Sequence, residues 1–77
     1  MIEIYGKDNC IYCKMAVDLV EKHNLQYKYY KLGSEYTVEQ YQEKFPGRRT
    51  VPGIIIHNFP IGGYDELVGY VEENGNG

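Results

Sequence analysis

The 77 residues carry a formal charge of −3, with 8 Lys and Arg against 11 Asp and Glu, which argues against a general nucleic-acid binder whose clustered cations must displace counterions from phosphates. So short a chain allows one domain with a thin core, and its 43% hydrophobic and 25% charged content is that of a folded protein rather than a disordered one. No apolar run approaches the ~18 residues needed to span a bilayer, and Met1-Ile2-Glu3-Ile4-Tyr5 lacks the basic region and apolar stretch of a signal peptide. A cytoplasmic location, with neither membrane nor nucleic acid as partner, is the expectation. Trp is absent, so the nine tyrosines must supply much of the aromatic core.

In chain order, Ile2-Glu3-Ile4-Tyr5 alternates as a first strand and Gly6-Lys7-Asp8-Asn9 turns the chain. From Cys13 the apolar positions Ala16, Val17 and Val20 recur at helical spacing, with Leu19 beside them and Lys14, Asp18, Glu21 and Lys22 opposite, until Asn24 stops the helix. Tyr27 to Leu32 reads as a second strand, parallel to the first through a right-handed crossover. Thr37 and Gln40 stand at capping-box spacing, so a short second helix should run to about Phe45, before Pro46-Gly47. Ile54-Ile55-Ile56, within a strand from Gly53 to His57, suits burial on both faces, and Phe59-Pro60-Ile61 returns beside it as an edge strand. After Gly62-Gly63 a last helix begins at Tyr64 with Leu67, Val68 and Val71 on its apolar side. The fold class is α/β, ordered β-α-β-α-β-β-α: a domain over 1–73 and a flexible tail over 74–77.

The only cysteines, Cys10 and Cys13, stand two residues apart where the first strand hands over to the first helix. A zinc site would need four ligands, and His23 and His57 do not complete any paired spacing, so no metal is expected. An inert buried pair conflicts with Cys10 standing at an exposed helix end. Dithiol redox chemistry fits both positions. The thiolate is the nucleophile, and unpaired amides at a helix N-terminus stabilise it, aided by the Lys7 cation and opposed by Asp8. Cys10 is thus expected to attack, and Cys13, on the apolar stripe, to resolve the mixed disulfide.

Cys10-Ile11-Tyr12-Cys13 after the first strand, Thr50-Val51-Pro52 before the third, and Ile61-Gly62-Gly63-Tyr64-Asp65-Glu66-Leu67 at the last helix together resemble the glutaredoxins, particularly the short dithiol type of bacteria and their phages. The resemblance covers nearly the whole chain. It implies a thioredoxin-like fold, a four-stranded mixed sheet flanked by three helices, with Pro52 cis and the Val51 backbone opposite Cys10. It also implies glutathione as co-substrate, with no bound cofactor. Val51 would pair with the tripeptide backbone, Lys7 and one of Arg48 and Arg49 (Arg49 being taken as the ligand) would meet its glycine carboxylate, and Gly63, Tyr64 and Asp65 would hold the γ-glutamyl end. Tyr12 and Thr50 complete the groove.

Duller roles stand beside these: Lys7 as a turn lysine, Asp65 as a helix cap, His23 and His57 as surface residues, and Tyr27, Tyr29 and Tyr30 as strand packing. Ile11 replaces the proline usual between the cysteines, and Tyr64 stands where a smaller or polar residue is more common. The function the resemblance implies is glutathione-dependent reduction of protein disulfides and glutathionylated proteins, with ribonucleotide reductase a candidate partner and a monomer as the working form. Two alternatives are a redoxin of the same fold reduced by thioredoxin reductase and donating electrons to ribonucleotide reductase, and a glutathione-ligated iron–sulfur carrier.

Overall fold

The structure, a computed structural model, describes residues 1–74, and the expected elements form there in the expected order. They are β1 (Ile2–Gly6), α1 (Ile11–Lys22), β2 (Tyr27–Lys31), α2 (Val38–Lys44), β3 (Gly53–Ile56), β4 (Phe59–Gly62) and α3 (Tyr64–Asn74). The last helix extends one residue into the stretch expected as a tail: the Asn74 side-chain amide donates to the Tyr70 carbonyl at 3.1 Å. The rest of that expected tail, residues 75–77, lies outside the described residues.

The sheet is mixed, in the order β2-β1-β3-β4, with β1 and β2 parallel and the other two pairs antiparallel. Strand alternation sends Ile2 and Ile4 of β1 and Ile54 and Ile56 of β3 to one face. There they meet Ala16 and Val20 of α1 and Leu67 and Val71 of α3. Ile4, Ile54 and Leu67 are fully buried, and each such side chain contributes roughly 1.5–3 kcal/mol relative to exposure. Tyr5 and Ile55 point the other way, onto Tyr36, Tyr41 and Phe45 around α2. Ile54-Ile55-Ile56 therefore feeds both layers, as its unbroken apolar run required.

The α2 side is aromatic. Tyr5 stacks on Tyr30 at 4.8 Å between ring centroids and meets Tyr36 edge-on at 5.2 Å. A tyrosine can be buried here because its hydroxyl finds a partner: that of Tyr36 donates to the Gly6 carbonyl at 2.7 Å. The capping box at α2 forms in both directions, Gln40 N–H to Thr37 Oγ1 at 3.1 Å and Thr37 N–H to Gln40 Oε1 at 2.8 Å. Gly47, with φ +82°, then reverses the chain. The loop that follows returns to the cysteines.

Candidate active site

The head of α1 is built from sulfur. Asn9 takes a left-handed φ of 56°, which asparagine tolerates, and delivers Cys10 as the N-cap with extended backbone. Its carbonyl accepts the Lys14 N–H at 3.1 Å, and its Sγ accepts the Cys13 N–H at 3.2 Å, standing where a cap oxygen normally would. No acidic residue occupies the first turn to oppose a negative sulfur. Asp8, expected to oppose it, is paired with Lys31 at 3.5 Å.

Cys13, one turn further in, is 1% exposed, with its Cα 5.2 Å from that of Cys10, and the two sulfurs are joined as a disulfide. Cys13 Sγ packs over Gly6, where an added Cβ would stand 3.0 Å from it. Burial thus separates the two thiols as the apolar stripe predicted: Cys10 opens onto the surface and Cys13 lies behind it.

Opposite Cys10 runs the loop over residues 48–52. The Val51–Pro52 peptide is cis, and the Val51 carbonyl oxygen lies 3.9 Å from Cys10 Sγ. Two side chains hold the neighbouring carbonyls: the Tyr41 hydroxyl donates to Thr50 O at 2.6 Å, and Arg48 Nη2 donates to Pro52 O at 3.1 Å. Arg48 is half-buried while Arg49 is exposed, so the two arginines have different surroundings.

The start of α3 closes the third side. The Gly63 carbonyl accepts the Leu67 N–H at 3.0 Å, and its N–H donates to Glu66 Oε1 at 2.8 Å. That N–H first, and then the Glu66 amide, hold the Glu66 carboxyl below its ordinary value, with burial partly opposing them and the nearby Arg48 cation adding a smaller lowering effect. Gly63 is buried under the groove rather than lining it, and a Cβ there would run into the Arg48 guanidinium. The carboxylate engaging the helix start is that of Glu66; Asp65 is exposed beside it.

Two grooves meet along this loop. The first, of about 730 Å³, brings Lys7 and Arg49 beside Cys10. The second, of about 560 Å³, is bordered by Pro52, Tyr64 and Asp65. Tyr12, Arg48, Thr50 and Val51 line both, and the Tyr12 and Tyr64 rings stand 5.7 Å apart. Apart from Gly63, the residues expected to contact glutathione therefore share this surface. The contributions of Tyr41 and Glu66 were not anticipated. Tyr41 has no local signature, whereas Glu66, three residues after Gly63, had the spacing of a capping partner.

The glutaredoxin family model matches residues 2–61, which include both cysteines and the cis-proline loop. The chain belongs to the glutaredoxin family. It is 38% identical over 79 residues to glutaredoxin 1 of Escherichia coli, covering 92% of each sequence. It superposes on the reduced Escherichia coli glutaredoxin structure with a TM-score of 0.82 at 35% identity, covering 99% of this chain and 98% of that one. A buckwheat glutaredoxin in complex with glutathione gives a TM-score of 0.78 at 25% identity, covering 96% of this chain and 70% of that one. Family membership and the disulfide-forming pair together make this glutaredoxin a thiol–disulfide oxidoreductase.

Proposed function

We propose that this glutaredoxin is glutathione-dependent and reduces protein disulfides and glutathionylated proteins through Cys10 and Cys13. The observation supporting this is the convergence of the two grooves on the Thr50–Val51 backbone beside Cys10. Glutathione would lie along that backbone, its glycine carboxylate toward Lys7 and Arg49 and its γ-glutamyl end toward Tyr64 and Asp65. Charge supports this direction, since the first groove carries cations and the second offers a carboxylate for the ammonium group.

In the reaction, the Cys10 thiolate attacks one sulfur of the substrate disulfide. The Cys10–S bond forms, the substrate S–S bond breaks, and the leaving sulfur departs as a thiolate that takes a proton from solvent. Cys13, deprotonated, then attacks Cys10 Sγ and releases the second substrate sulfur, so two electrons pass to the substrate and the enzyme is left as its disulfide. Two glutathione molecules restore the dithiol and leave as glutathione disulfide. With a glutathionylated substrate, a second glutathione can instead attack the Cys10–glutathione adduct directly. A reducing cytoplasm suits a chain whose cysteines serve catalysis rather than a framework, and ribonucleotide reductase is a candidate recipient.

Turnover of a glutathione mixed disulfide, coupled to glutathione reductase and NADPH, tests the reading. Robust NADPH oxidation is expected there, with little when thioredoxin reductase is the only electron source. Activity confined to the second system would overturn glutathione dependence while leaving the dithiol chemistry intact.

A further inference from the structure

The first groove is longer than the glutathione assignment uses. Beyond Lys7, Tyr12, Arg49, Thr50 and Val51 it continues past Leu32, Tyr36 and Val38 to Gln42. Val38, 52% exposed, and Ile11, between the cysteines and 71% exposed, both line it. Exposed apolar side chains in the groove that holds Cys10 leave surface that a passing segment can cover.

The charge of this groove is one-sided. Its charged lining residues are Lys7, Arg48 and Arg49, with no acid among them, although the whole chain is net −3. The ion pairs among the described residues, Lys14–Asp18 and Lys31–Asp8, leave these three out. The other two grooves at this end differ, for one sets Asp8 and Asp18 beside Lys7 and Lys14, and the other sets Asp65 and Glu66 beside Arg48. An anionic segment is thus drawn to one flank of Cys10, and a cationic one is repelled from it.

We propose that the Leu32–Val38 end of this groove is a docking subsite for protein substrates. Its occupant is a disulfide-bearing segment whose reacting cysteine is flanked by an acidic residue, facing the three cations, and by an apolar residue seated against Leu32 and Val38. The chemistry is the exchange already balanced above; the subsite selects which disulfide is presented. The inference rests on Cys10 being the attacking sulfur and does not require glutathione.

The test uses the whole protein, pre-reduced with dithiothreitol that is then removed, in single-turnover reduction of disulfide peptides followed by quenching and chromatography. Three peptides share one disulfide and differ in its flanks: Glu with Leu, Lys with Leu, and Glu with Ser. The Glu/Leu peptide is expected to react about tenfold faster than either of the others, the scale on which one apolar contact discriminates. Raising salt should narrow the gap between the Glu and Lys peptides. Val38→Ser should lower the Glu/Leu rate to that of Glu/Ser and leave reduction of bis(2-hydroxyethyl) disulfide unchanged. Equal rates for the three peptides, or a Val38→Ser variant slowed equally on the small disulfide, would overturn the subsite. Loss of turnover in the glutathione-coupled assay alone would instead count against the proposed electron source.

Discussion

Tyr41→Phe removes one oxygen from the protein and isolates what holds the loop opposite Cys10. The ring should stay in place, since it packs at 4.8 Å from Phe45 and 5.9 Å from Tyr36 and is 6% exposed. What is lost is the 2.6 Å hydrogen bond to the Thr50 carbonyl. Thr50 is exposed, so water can replace the hydroxyl, and the net cost is that of an ordinary hydrogen bond, about 1 kcal/mol, rather than of a stranded buried acceptor. With a urea dependence of about 1 kcal/mol per molar for so small a domain, the unfolding midpoint should fall by about 1 M. The same bond fixes the backbone next to Val51, so kcat/KM for disulfide reduction should fall by at most about fivefold, the rate equivalent of 1 kcal/mol. Equilibrium urea unfolding by circular dichroism and a coupled NADPH assay on the same preparation check both numbers. An unchanged midpoint together with unchanged kcat/KM would refute the claim that this hydroxyl secures the loop, and a loss of several kcal/mol would show that the ring itself had moved.

Three further outcomes follow from the same geometry. Cys10→Ser should abolish reduction of every disulfide substrate, whereas Cys13→Ser should retain turnover of glutathione mixed disulfides and lose that of peptide disulfides; activity surviving in Cys10→Ser would reverse the roles of the two thiols. Burial, aided by the Glu3 carboxylate, pushes the Tyr5 hydroxyl up to about 12, and burial beside neighbouring tyrosines does the same for Tyr36. Since both folded values lie above the unfolded value near 10, the stabilisation they represent is complete below pH 10 and is lost as pH rises from there toward 12; denaturant midpoints measured alongside tyrosinate absorbance should decline across that window, and a flat profile would contradict the buried hydroxyls. Gly63→Ala drives a methyl into the Arg48 guanidinium and displaces it from the Pro52 carbonyl it donates to at 3.1 Å, so it should cost about 1 kcal/mol, that of the hydrogen bond, in thermal or urea unfolding.

The sequence was most legible where a local rule and a burial pattern coincided. Thr37 and Gln40 announced the capping box that the structure forms, and Ile54-Ile55-Ile56 announced a strand with a layer on each side. The stripe from Cys13 through Ala16 to Val20 predicted which cysteine would be buried. Less legible were contacts between segments distant in sequence or inside irregular loops. Arg48 and Arg49 are identical letters in a loop without periodicity, and only the approach of Pro52 and Gly63 gives Arg48 a partner and a half-buried place. Gly63 belonged to a motif that lies at the start of α3, where its amide is taken by Glu66. Asn74 has Gly-rich neighbours that read as a tail, yet its side-chain amide closes the last turn of α3.

Because the sulfur that caps α1, that of Cys10, belongs to the disulfide-forming pair, the oxidation state of the protein and the integrity of its first helical turn form one thermodynamic cycle. A thiolate is a stronger acceptor for the Cys13 amide than a sulfur engaged in a disulfide, so reduction strengthens the bond that begins the helix. By linkage, any free energy that the cap gains on reduction makes the disulfide a correspondingly better oxidant, at about 30 mV for each 1.4 kcal/mol. Substitutions along the first turn of α1 that never touch a substrate can therefore retune the direction in which electrons flow.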